Sequence, residues 1–290
     1  MNMQRLRQWA LGLAGSCVLL GGAQAGEWSD LAVNWRYGSH FAEPYNNQPV
    51  HKNILGLTYA GSHAYGSQFF STDLLFSDRH DPDAQGSNDG AREAYVVYRN
   101  TLDLARISDV NCAGGTLRGC GLTLGFDWNH KDDAGYNSRK RMLVAGPTLM
   151  FEVPGFLEAS LLWLRESNRP SASPGAFDPG YPAGRSYFRT HPMLSLAWGI
   201  PLRDRLSFDG YANLIAAKGP DETGLATAAE THLDLRLMYD AGALWGSSDK
   251  ALRLGVAYDY WRNKFGNDHN GPAGRGAFAR TPMLRAEFRF

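Results

Sequence analysis

From residue 26 onward the 290-residue chain has no uninterrupted apolar stretch near the roughly 18 to 20 residues that a membrane helix needs. No helical span is expected there. Neither charge is in excess, with Lys+Arg and Asp+Glu at 29 each, so no global field draws the chain to nucleic acid or to anionic lipid. Cysteine is scarce, at 3 residues. Zinc at Cys112 and Cys120 would need two more ligands at close spacing, and none of the 8 His falls nearby. The acidic stretch from Asp78 to Asp89 lacks the ordered spacing of a calcium loop, and no Gly-rich phosphate cradle is present. No metal and no cofactor are expected. No heptad, helical repeat or linker divides the chain, so one domain is expected.

What the chain does have begins with its first 25 residues. Arg5 and Arg7 precede a short apolar run from Trp9 to Leu20, and Ala23-Gln24-Ala25 supplies small residues for cleavage. Residues 1–25 therefore read as a cleaved secretory signal, with 26–290 the mature domain. A lipoprotein start at Cys17 is disfavoured, because Ala14-Gly15-Ser16 approaches it poorly and the apolar run continues past it. In an oxidising compartment Cys112 and Cys120, which share one Gly-rich loop, are expected to form a local disulfide.

The rest of the chain alternates. Its mean hydropathy of −0.36 resembles that of a soluble protein, but alternation averages a lipid face against a polar one. Counting period-two runs gives about twelve strands of about the 9 to 11 residues that cross a bilayer at barrel tilt. Asp30 to His40 sets Leu31, Val33, Trp35 and Tyr37 against Asn34 and Arg36. Leu122, Leu124, Phe126 and Trp128 oppose Thr123, Asp127 and Asn129, and an eighth run is read from Tyr187 to Ile200 with Arg189 and His191 inward. The last run, Pro282 to Phe290, puts Leu284, Ala286, Phe288 and Phe290 opposite Met283, Arg285, Glu287 and Arg289. A closing strand that ends on an aromatic residue resembles the signal read by the bacterial barrel assembly machinery. A soluble sandwich would carry its charges on the outer face and use shorter strands. The expected fold is all-β, a transmembrane antiparallel barrel of about twelve strands in the outer membrane of a Gram-negative bacterium. Connections after even strands read as short turns, such as Gly61 to Gly66, and those after odd strands as long loops, the Cys loop excepted.

A wall carrying both signs of charge supports hydrated passage of polar solutes, and twelve strands leave a slender lumen. An outer-membrane lipid-modifying enzyme is the alternative from another class. It would need a Ser-His pair facing lipid with an orienting Asn. Ser39 and His40 are adjacent, which places them on opposite faces of a regular strand and denies them a hydrogen bond. No catalytic residue is assigned.

The segments Trp35-Arg36-Tyr37-Gly38-Ser39-His40-Phe41, Phe70 to Asp78, Glu93 to Arg99 and Tyr258-Asp259-Tyr260-Trp261-Arg262-Asn263-Lys264-Phe265-Gly266-Asn267 resemble the Tsx-type nucleoside-specific channel family. The resemblance spans Trp28 to Phe290, and the loops between match poorly. It implies a monomeric twelve-stranded barrel through which nucleosides diffuse, with Phe41 at the position of an aromatic that stacks a nucleobase. By parity Tyr95, Tyr211 and Trp261 are further inward aromatics, and inward Asp73, Asp127 and Asp259 offer acceptors to ribose hydroxyls. A general small-solute porin is the nearer alternative.

Overall fold

The computed structural model describes residues 28–84, 89–245 and 251–290. The signal segment 1–25 lies outside the described residues. Twelve long strands follow one another: β1 Ser29–Glu43, β2 Asn46–His63, β3 Gly66–Ser77, β4 Arg92–Asp103, β5 Leu117–Asp132 and β6 Arg139–Phe151. The second half holds β7 Phe156–Asn168, β8 His191–Arg203, β9 Leu206–Ile215, β10 Glu230–Asp240, β11 Leu252–Arg262 and β12 Phe278–Arg289.

Each strand pairs antiparallel with the next, and β1 pairs with β12, from Ala32 opposite Arg289 to Gly38 opposite Met283. The sheet therefore closes and has no free edge. Period two then fixes what each face carries. Asn34, Arg36, Lys52, Asp127, Asn129, Glu166, Asp234 and Glu287 are buried inside, while Val33, Trp35, Leu124, Trp128, Leu237 and Val256 stand exposed outside. Leu143 is 62% exposed and Leu284 57%. Polar groups within and large apolar groups without is the arrangement of a barrel whose outer solvent is hydrocarbon. No helix among the described residues is long and apolar enough to cross a membrane, which says nothing of strands.

Several boundaries differ from the sequence expectation. The first odd connection is a two-residue turn, Pro44 and Tyr45, with Tyr45 at φ 64°. β1 and β2 consequently form one long hairpin, 15 and 18 residues per strand. The turn expected from Gly61 to Gly66 shrinks to Ala64 and Tyr65. On the even side the connection from Ala241 joins the Cys loop as a second long one. The eighth strand starts at His191 rather than Tyr187. Ser186 and Tyr187 pair briefly with Asn168 and Ser167, but the Arg189 amide turns aside to the Lys218 carbonyl at 3.0 Å and leaves the ladder. Arg189 thus belongs to a loop and not to the lumen wall.

The lumen as candidate functional site

At the end of the barrel opposite the termini, three lysines converge on one carboxylate. Glu43, at the tip of β1, accepts from Lys52 of β2 at 2.6 Å, from Lys131 of β5 at 3.1 Å and from Lys264 of the β11–β12 loop at 3.0 Å. The β3–β4 loop adds Asp81, bonded to Lys131 at 2.8 Å and 3.7 Å from Lys52. Burial pushes the Asp81 carboxyl up, but Lys131 and Lys52 outweigh it and hold the group below the usual carboxylate range. A second knot lies beside the first. Glu166 accepts from Lys218 of the β9–β10 loop at 2.8 Å, and Lys218 stands 3.6 Å from Glu230. Loops from three different hairpins are in this way drawn over the mouth.

Against the second knot, whose Glu166, Lys218 and Glu230 form part of its lining, the lumen keeps a cavity of about 70 Å³. Tyr95, Asp127 and Asn129 line one side of it, Met142, Leu164, Met193 and Ile215 form an apolar wall, and His232, Trp261 and Phe265 also line it. The His232 and Trp261 rings stack with centroids 4.0 Å apart and planes 7° from parallel. Asp259 lies 2.9 Å and the Tyr211 hydroxyl 3.2 Å from His232 Nε2, and Trp261 Nε1 donates to Glu230 at 3.1 Å. Neighbouring inward positions on β9, β10 and β11 thus hold one aromatic pair rigidly. Opposite, Tyr95 donates to Asp127 at 3.2 Å, and Arg99 shares the same carboxylate.

Of the residues singled out by sequence, Tyr95, Asp127 and Trp261 line this cavity together. Tyr211 and Asp259 stand behind it, bonded to His232. Asp73 is ion-paired with Arg36 of β1 and is not part of the lining. Gly56 makes room for that carboxylate, since a Cβ there would come within 2.7 Å of it. Phe41 is only 7% exposed and packs with Val50, Ile54, Ala257 and Met283. The ring that the resemblance implies as a stacking platform packs in this inward-facing cluster and is not part of the cavity lining. His232 and Asn129 were inward by parity without being singled out. Phe265 is a loop residue, which no periodicity could place.

A register shift in β1 between Gly38 and Phe41 also corrects the reading of Ser39 and His40. The irregularity breaks alternation, and Ser39 Oγ lies 2.8 Å from His40 Nδ1. Among the described hydrogen bonds this contact is the one that the His40 ring makes.

Toward the terminal end the wall changes character. Thr101, Thr123, Thr148 and Ser160 form a hydroxyl track across β4 to β7, with oxygens 2.8 Å apart at its two outer steps. Glu287 accepts from Arg253 at 3.0 Å, Arg285 at 2.9 Å and Arg289 at 3.1 Å. Cys112 of the β4–β5 connection is bonded to Cys120 of β5, with Cα atoms 5.6 Å apart.

No protein-family model and no curated protein matches the chain. Among solved structures it is similar to a KdgM porin, at 9% identity over 89% of this chain and 99% of that one, with a TM-score of 0.44. It is also similar to the translocator domain of the autotransporter NalP from Neisseria meningitidis, at 10% identity over 99% and 96%, with a TM-score of 0.48. A third similarity is to OccK5 (OpdH) of Pseudomonas aeruginosa, at 12% identity over 90% and 96%, with a TM-score of 0.29. What the barrel does is therefore read from its own lumen.

Proposed function

We propose that the chain is a passive outer-membrane channel for small polar solutes, with nucleosides as the solute class. The observation that carries this is the Trp261–His232 pair set into the wall of a cavity that also presents Asp127, Asn129 and Tyr95. An aromatic surface takes a base without demanding its sequence of donors and acceptors, and carboxylate and amide groups beside it suit sugar hydroxyls. The barrel is monomeric in this reading, surrounded by outer-membrane lipid and inserted by the barrel assembly machinery. In it the stacking role that the resemblance implies for Phe41 belongs to Trp261.

Single-channel recording in planar bilayers tests the proposal. Purified protein should conduct, and adenosine or thymidine should reduce the current in a saturable manner. Trp261→Ala should weaken that block by a factor of about 5 to 150, the equivalent of about 1 to 3 kcal/mol of base stacking. Conduction without nucleoside block would leave a general small-solute channel, and an absence of conduction would remove the channel itself.

A further inference from the structure

After Arg262 the β11–β12 loop turns back into the lumen. Asn263 at φ 55° and Phe265 at φ 61° both hold left-handed backbone. Non-glycine residues adopt that region at a cost, and keep it where surrounding contacts enforce it. The contacts are present. Asn263 Nδ2 donates to the Ala229 carbonyl at 2.7 Å, and Lys264 Nζ donates to the Ala42 carbonyl at 2.8 Å and to Glu43 at 3.0 Å. Their product is a phenyl ring inside the lumen. Phe265 meets Trp261 edge-on at 4.6 Å between centroids, and Lys140 Nζ stands 3.8 Å over its ring.

One ring thus lies against the aromatic pair already, at the expense of backbone strain. The remaining cavity, about 70 Å³, is well below the roughly 150 Å³ that accommodates a benzene-sized guest. A flat solute reaches Trp261 only if Phe265 withdraws. We propose that Phe265 is a displaceable plug, occupying against Trp261 the place a flat solute ring takes during passage, and that the Lys264–Glu43 pair is the latch that sets it. This rests on the channel reading above and adds to it the residue that limits what passes.

The experiment compares wild type, Phe265→Ala and Lys264→Met in planar bilayers, with thymidine as the probe. A plug and its latch predict higher conductance in both variants. Phe265→Ala should also lower the half-blocking thymidine concentration about fivefold or more, because a competitor of ordinary stacking strength is gone. Lys264→Met frees the loop while Lys52 and Lys131 still neutralise Glu43, so it carries the test if Phe265→Ala does not assemble. Unchanged conductance in the variants overturns the plug. A higher half-blocking concentration in Phe265→Ala also overturns it, since Phe265 would then belong to the solute platform. If thymidine blocks none of the proteins, the nucleoside proposal fails and the conductance rise alone decides the plug. If wild type is silent and Phe265→Ala conducts, the plug stands and the open wild-type channel does not; silence in all three overturns both.

Discussion

The lumen has an acidic hub near each end, and each hub gathers three cations. Glu43 at the mouth binds Lys52, Lys131 and Lys264, which come from β2, β5 and the β11–β12 loop. Glu287 near the terminal end binds Arg285 and Arg289 of its own strand and Arg253 of the strand beside it. The charge count is the same and the connectivity is opposite. The mouth hub joins elements up to 221 positions apart, whereas the terminal hub joins residues that the β11–β12 ladder already holds together. The first therefore positions loops over the opening, and the second lines a wall whose geometry the backbone has fixed.

Removing the hubs in turn is the strongest way to break this comparison. Glu43→Gln leaves three buried ammonium groups around an uncharged side chain, and breaking a buried ion pair from one side costs about 3 to 5 kcal/mol. Glu287→Gln should cost a similar amount by the same reasoning. The two should separate in hydrogen exchange. Faster exchange in the 263–277 loop and around Asp81 is expected for Glu43→Gln alone, with the Glu287 variant leaving those loops protected. Equal loosening of the loops in both variants would erase the distinction.

This contrast also marks how far the sequence could be read. The wall is written in period two, so the inward places of Asn34, Arg36, Asp127, Asp259 and Arg285 follow from alternation once the faces are assigned. Trp261 was found in the same way. The mouth is not periodic. Asp81, Lys218 and Phe265 sit in loops whose path depends on tertiary ion pairs and on left-handed backbone at Asn263 and Phe265, and neither has a local pattern. Phe41 is an intermediate case. Alternation with Val33, Trp35 and Tyr37 would set it on the outer face, but the register shift after Gly38 turns its ring inward to pack with Val50, Ile54, Ala257 and Met283, and its solute role rests on the resemblance alone.

Acid sharpens the comparison by a smaller amount. Asp81 is held below its ordinary range by Lys131 and Lys52 against the effect of burial. A carboxylate depressed in the folded state contributes stability that is complete above its unfolded pKa and lost as pH falls through the folded one. The tie between the β3–β4 loop and Lys131 should therefore hold at neutral pH and begin to fail only below about pH 4. Protease cleavage of the 78–91 loop, measured with an acid-active enzyme between pH 5 and pH 2 by rough bounds, should rise at the low end. In Asp81→Asn cleavage should already be high at pH 5; a flat profile at the level of wild type would detach Asp81 from loop closure.

The smallest expected effect concerns the wall alone. Thr123 is buried, and its hydroxyl joins those of Thr101 and Thr148, so the track runs from neighbour to neighbour as the terminal hub does. Thr123→Val keeps the shape and removes both bonds, and Thr101 loses its hydroxyl partner while Thr148 retains Ser160 at 2.8 Å. One buried hydroxyl left short of a partner costs about 1 to 3 kcal/mol. Because the backbone ladder between β4 and β5 is intact on both sides of the position, the loss should come near the lower bound. It should show as a small decrease in the urea midpoint with an unchanged slope. Conductance and thymidine block should be unaltered, since the track lies away from the cavity beside Trp261. A change in block from this substitution would mean that the wall transmits to the site, and the separation between a fixed wall and a movable mouth would no longer hold.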